Sequence, residues 1–273
     1  MNEYVMEYSG IASFSNYMDE VPMTGKIVDS RVDMKSISYF APSLRRMKSI
    51  VNLREADVRG PVKDLSIRNF SFSESFSGVS GTLDGSISGL PDIDRMTMDF
   101  RLGALGFTAE GLGQFIRGFA PKAALDLSRF AKGTRFHFSG DAKGTLNRLH
   151  AKGDVTSALG SIKAEVSIKD LINKGKAIGL GGNISTRNLN VGRLAGVKQI
   201  GETTLRGTMD MSLGKDQPSL RIDTLSVERL SVLGYDYSNI NAAGTYSNNA
   251  FDGRIVCSDP NLNFLFQGLF TLS

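Results

Sequence analysis

Ser161-Ile162-Lys163-Ala164-Glu165-Val166-Ser167-Ile168-Lys169 alternates polar and apolar residues without a break. Successive side chains of an extended chain point to opposite faces, so Ile162, Ala164, Val166 and Ile168 share one face and Lys163, Glu165, Ser167 and Lys169 the other. The pattern predicts a half-buried antiparallel strand. Arg135-Phe136-His137-Phe138-Ser139 and Leu220-Arg221-Ile222-Asp223 repeat it. Turn signals follow at intervals: Leu83-Asp84-Gly85, Asn173-Lys174-Gly175, Ser247-Asn248-Asn249 and Ser258-Asp259-Pro260-Asn261. Their spacing predicts an all-β meander of about 20 short strands joined mostly by hairpins.

Glycines punctuate the alternation. Gly81-Thr82-Leu83-Asp84, Gly144-Thr145-Leu146-Asn147 and Gly207-Thr208-Met209-Asp210 recur at an interval of 63 residues, and apolar-x-Gly-x-apolar triplets surround Gly25, Gly60, Gly153, Gly244 and Gly268 as well. Internal repetition predicts units that stack into an extended assembly because none buries its apolar face alone. Two roles fit such glycines. Each marks a bulge or bend, or each opens a notch in an apolar wall while permitting tight curvature, and the two are compatible.

Three segments depart from alternation. Leu112, Phe115, Ile116 and Phe119 fall at helical spacing after Thr108, an N-cap candidate, and before Pro121, predicting a short amphipathic helix that Gly111, Gly113 and Gly118 weaken. Ser43–Val51 and Asn190–Ala195 are compatible with a turn or two of helix, or with strand.

Thirty glycines and no tryptophan in 273 residues fit an extended sheet better than a compact enzyme core. The net charge of +4 is spread among interleaved acids and bases, which argues against a nucleic-acid partner. A single cysteine, Cys257, excludes an intramolecular disulfide framework. No run of about 20 apolar residues is present to span a bilayer as a helix, and Met1–Phe14 lacks the basic and apolar regions of a secretory signal. Absence of a linker rich in Pro, Ser or charge predicts one continuous segment over residues 1–273. The apolar run Phe264–Leu272 would leave a greasy edge if it ended a sheet, so the chain is expected to be a piece of a longer protein.

Chemistry-bearing constellations are sparse. His137 lies on the polar face of its strand, and neither it nor His150 has the spacing of a metal site. Asp92 and Asp94 sit in a Gly89/Pro91 context that makes them turn residues. Gly179-Leu180-Gly181-Gly182-Asn183 lacks the Lys and the following helix of a phosphate loop and reads as strand and bulge, and Cys257 reads as a buried, inert thiol. The expectation is a protein that is not an enzyme and takes no cofactor or metal. A sheet with one apolar face and no long helices to cover it must pack on a second sheet or curl on itself. Curling without closure leaves an apolar trough, for which lipid acyl chains are the natural occupants.

The glycine-punctuated strands, with Gly89-Leu90-Pro91-Asp92-Ile93-Asp94 and Asp259-Pro260-Asn261-Leu262-Asn263-Phe264-Leu265-Phe266-Gln267-Gly268, resemble the TamB translocation and assembly modules among the AsmA-like envelope proteins of diderm bacteria. The resemblance implies an elongated antiparallel β-sheet curled into an open hydrophobic groove in the periplasm, with an inner-membrane anchor elsewhere in the full-length protein. It implies phospholipid movement between the inner and outer membranes, and outer-membrane protein assembly beside a BamA-type barrel. The inward rows expected to line the groove are Val79, Leu83, Phe136, Phe138, Ala142 and Leu146, then Ile162, Ala164, Val166 and Ile168. Leu220, Ile222, Leu225 and Val227 continue them, and Phe264, Phe266 and Phe270 close them. Gly60, Gly81, Gly144, Gly207, Gly244 and Gly268 are the groove glycines. Two rivals from other classes are a structural or adhesive β-solenoid, which would be a regular parallel coil, and an outer-membrane barrel, which the absence of Trp disfavours.

Overall fold

The computed structural model describes residues 2–10, 13, 15–37, 49–119, 127–128, 130–173, 176–213 and 218–271. Among them lie fifteen strands: β1 Glu3–Met6, β2 Met23–Asp33, β3 Ile50–Gly60, β4 Asp64–Glu74, β5 Ser80–Ser88, β6 Thr97–Thr108, β7 Arg135–Thr145 and β8 Arg148–Ser157, followed by β9 Gly160–Lys169, β10 Ile178–Asn190, β11 Ile200–Leu213, β12 Ser219–Val232, β13 Tyr235–Ser247, β14 Ala250–Asp259 and β15 Leu262–Thr271. Four short helices interrupt them: α1 Tyr17–Glu20, α2 Met34–Ile37, α3 Ala109–Phe119 and α4 Val191–Ala195. The strands form a single sheet in chain order, every neighbour antiparallel, and β1 does not meet β15. The fold is all-β, an elongated sheet curled into an open apolar groove.

Strands are fewer and longer than the turn signals imply. Leu83-Asp84-Gly85 is not a turn but lies inside β5. Its turn chemistry serves a bulge instead: β4 shifts register opposite it between Ile67 and Phe70, Asn69 takes φ 53°, and the Asp84 carboxylate accepts the Asn69 backbone N–H at 2.7 Å. By contrast Asn248 and Asn249, at φ 52° and 56°, form the two-residue turn between β13 and β14. The 63-residue interval is not a structural period either. Gly81 is the second residue of β5, Gly144 the next to last of β7, and Gly207 lies in mid-β11.

Helix α3 forms where the apolar spacing places it, with the Thr108 hydroxyl accepting the Gly111 N–H at 3.0 Å. Helix α4 is capped by Asn190, whose side chain accepts the Arg193 N–H, and ends at left-handed Gly196. Of the Ser43–Val51 segment, Ile50 and Val51 begin β3, while Leu44 and Met47 lie outside the described residues, as do Lys174 and Gly175 of the second turn signal.

Register sorts the sheet into two chemically distinct faces. Tyr4, Gly25, Val58, Ile67, Gly85, Phe100, Ala142 and Ala151 oppose one another in succession across β1 to β8. The same row continues through Val166, Gly182, Met209, Ile222, Gly244, Gly253 and Gly268 to β15. Every member is apolar or glycine. One residue away, on the other face, Asp84, Arg101, Asp141, Lys152 and Glu165 alternate in sign across β5 to β9. Lys143 reaches Asp99 at 2.6 Å, Lys152 reaches Glu165 at 3.0 Å and Arg221 reaches Asp210 at 2.5 Å. Such solvent-exposed pairs add little to stability. Their larger effect is on register, since a slip of one residue would turn the charges inward and the apolar row out.

Candidate functional site

The curl follows from repeated irregularity. Register shifts occur in the β3–β4, β4–β5, β5–β6, β6–β7, β10–β11, β11–β12 and β12–β13 pairings, and each bulge bends and twists its strand. Glycine is required at the closest approaches. Gly144 has φ 121°, and a Cβ there would stand 2.1 Å from the Arg148 carbonyl oxygen of β8. Gly207 has no such backbone demand, but its Cβ would meet the Thr224 carbonyl at 2.5 Å. Of the two roles open to these glycines, bending and close strand approach is what these two positions display.

The expected lining residues that lie within strands share the apolar face. Phe136, Phe138 and Ala142 alternate along β7, continuing through Val155 and Ala151 of β8 to Ile162 and Val166 of β9, with Ala164 and Ile168 alongside. Leu220, Ile222, Leu225 and Val227 pair with Met211, Met209, Gly207 and Leu205. Phe264, Phe266 and Phe270 oppose Cys257, Ile255 and Phe251. Leu83 opposes Phe70 and Leu102, and Gly81 opposes Phe72. Val79, wholly buried, precedes β5 and accepts the Glu74 N–H, and Leu146 lies in the β7–β8 connection. Gly60, Gly144, Gly244 and Gly268 share this face through Met23, Leu149, Ile222 and Gly253. The same rows contain Met98, Leu149, Ile184, Ile240 and Ile255, which the sequence reading did not single out although the same alternation carries them.

The face is incompletely covered. Phe136, Ala142 and Val227 are buried, whereas most of the row is half-buried, and Phe264 and Phe270 are 39% and 37% exposed. Total accessible surface is 16380 Å², against about 11,500 Å² for a compact chain of this mass. Packing concentrates toward the N-terminal side in three clusters: Met34, Val51, Leu53 and Ile93; Ala131, Phe136, Leu159 and Leu189; and Ile172 with Ile116 and Leu146. Their members extend no further along the chain than Leu194. Among the described residues, the rows of β11 to β15 contribute none of the members of these three clusters, although Val227, Phe251 and Cys257 are buried.

Polar groups of the site sit at one rim and close connections. Asp259, buried, accepts the Asn261 N–H at 2.9 Å, the Tyr235 hydroxyl at 2.8 Å and both the N–H and hydroxyl of Ser238. The Asn261 N–H first, and then Tyr235 and Ser238, outweigh desolvation and hold its carboxyl down at about 2, while the same contact raises Tyr235. At Glu74, burial pushes the carboxyl up. The Ser77 hydroxyl and the Phe76 and Ser77 N–H groups outweigh that burial and leave it below its ordinary value. Both carboxylates organise turns. Cys257 is buried on the inner face of β14, and His137 and His150 are on the exposed polar face, His150 lying 3.6 Å from Glu165. Asp92 accepts the Asp94 N–H within the β5–β6 connection. Gly179–Asn183 keeps unbroken register within β10, with Gly182 at φ 150°, and the register shift of that strand lies further on, between Thr186 and Leu189. Among the described residues no three His, Cys, Asp or Glu side chains converge, and no helix is long and apolar enough to cross a membrane. The polar face has a hollow of about 740 Å³ bordered by Lys163, Arg187, Arg206 and Ser226.

Comparison with protein-family models, curated proteins and solved structures returns no match for this chain.

Proposed function

We propose that this chain is a non-enzymatic, lipid-conducting groove segment of a TamB-like envelope protein, working in the periplasm. The observation that carries the reading is the apolar row running without interruption from Tyr4 to Gly268 across all fifteen strands, half-open to solvent. An acyl chain laid along such a wall leaves water with a gain of about 0.8 kcal/mol per buried CH₂. The binding is distributed and non-directional, so the wall offers a path rather than one deep well. Charged headgroups stay at the open mouth, where burial would cost them several kcal/mol. Uniform antiparallel pairing supports this reading over a β-solenoid, whose coils are parallel. Anchoring at the inner membrane and contact with a BamA-type barrel are proposals for the full-length protein that rest on the family resemblance.

The test is direct. Native mass spectrometry of the purified segment is expected to find co-purifying phospholipid. Val166→Asp and Phe138→Asp each place a charge on the wall and are expected to lower acyl-chain photocrosslinking several-fold in protein whose circular dichroism still reports β-sheet. Lipid capture indifferent to charges at several inward positions would overturn the conduit.

A further inference from the structure

Helix α3 does not lie outside the sheet; it lies in the groove. It begins where β6 ends, at the rim shared with the β4–β5 connection, and a Cβ at Gly111 would stand 2.2 Å from the Ser77 carbonyl there. Glycine thus lets the first helical turn rest against that rim. Phe115 stacks on Phe72 of β4 with ring centroids 6.3 Å apart. Ile116 and Leu146 both pack against Ile172; Leu146 and Ile172 lie in the β7–β8 and β9–β10 connections, which a meander of this order places on the opposite rim. The eleven residues of α3 make about 16 Å of helix, which runs inward from the β4–β5 rim and brings Ile116 to Ile172. Phe115 joins the cluster of Met34, Val51, Leu53 and Ile93, Ala109 that of Ala131, Phe136, Leu159 and Leu189, and Ile116 that of Ile172, so α3 is common to all three.

The sheet's hydrogen-bond ladder runs from β1 to β15 without α3. Gly111, Gly113 and Gly118 lower the helix's own stability. On the other side of it, β11 to β15 present the same apolar row, and the short α4 packs against β11.

We propose that α3 is a gate within the groove. Seated, it occupies the wall of β4 to β9 in place of acyl chains and confines lipid to β11–β15; withdrawn, it opens the path along the whole sheet. The proposal rests on the lipid reading above and adds its regulation.

A phosphatidylcholine carrying a diazirine in its acyl chain, presented in vesicles, tests it through the peptides that become labelled. In the unaltered chain, label is expected on β12–β15 and at least five-fold less on β4–β5. Phe115→Asp with Ile116→Asp, which unseats the helix, is expected to raise β4–β5 labelling at least five-fold while leaving β12–β15 unchanged. Because that variant removes packing from two clusters, a second keeps it: Ile116→Cys with Ile172→Cys, oxidised to a disulfide, is expected to abolish the residual β4–β5 label, and reduction to restore it. Equal labelling of both sections in the unaltered chain, or β4–β5 labelling that the oxidised pair leaves unchanged, overturns the gate and leaves the lipid reading standing. Absence of label on β12–β15 in the unaltered chain overturns the lipid reading and the gate with it.

Discussion

Gly144 and Gly207 carry the same Gly-Thr signature in sequence but meet different demands. At Gly144 a side chain is opposed twice, by φ 121° and by a carbonyl 2.1 Å from its Cβ; at Gly207 only the neighbouring strand stands in the way. Gly144→Ala is therefore expected to cost about 1–3 kcal/mol and more than Gly207→Ala, read as the shift in urea unfolding free energy. The reverse order would show that the β7–β8 hairpin yields more easily than its geometry implies. Sequence spacing made the two positions equivalent because it records residue type and not backbone dihedral. Asp259 was visible only as a turn residue, since the partners that hold its carboxylate come from Tyr235 and Ser238, a strand away. Its folded pKa of about 2 lies below the ordinary value. The unfolded chain therefore takes up the proton first, and the stability from this ion is complete above pH about 4 and lost as pH falls toward about 2. The difference in unfolding midpoint between the unaltered chain and Asp259→Asn should be largest near pH 6 and shrink toward pH 2. A difference constant over that range would mean the carboxylate's charge plays no part.

At the level of elements, periodicity was a dependable guide wherever the element buried one face. The helical spacing of Leu112, Phe115 and Ile116 marked α3, and alternation marked β7 and β9, because in each the chain's own period matches the face it buries. Turn chemistry was the weaker guide. Leu83-Asp84-Gly85 serves a bulge on the neighbouring strand, and a single sequence does not distinguish an Asp that starts a turn from one that caps a partner's bulge. Neither does periodicity reveal where a helix docks: the apolar face of α3 was legible, its position in the groove was not, since that depends on the Ser77 carbonyl and Ile172, both distant in sequence. The N-cap gives the element its own test. Thr108→Ala removes the acceptor of the Gly111 N–H and should lower stability by about 1 kcal/mol, with Thr108→Ser near neutral. Equal losses for the two would place the Thr108 contribution in its methyl group instead.

For the molecule as a whole, sheet length is the quantity that separates a groove from a sandwich. Fifteen strands in chain order, spaced about 4.8 Å, extend roughly 67 Å along the hydrogen-bonding direction, while strands of eleven residues reach roughly 36 Å across. The open curl adds depth without bringing β1 to β15, so the radius of gyration should be roughly 21–24 Å. A compact chain of 273 residues would give about 18–19 Å. The accessible surface of 16380 Å² points the same way, because a sandwich buries the inner rows of both its sheets and this sheet leaves Phe264 and Phe270 over a third exposed. Self-association through β15 would raise the apparent radius, so scattering is to be recorded over a dilution series with mass taken from the forward intensity. A monomeric radius in the 21–24 Å range, unchanged on dilution, is the expected result. A monomer at 18–19 Å would mean that the rows from Tyr4 to Gly268 fold back on one another, closing the groove and removing the path that acyl chains would follow.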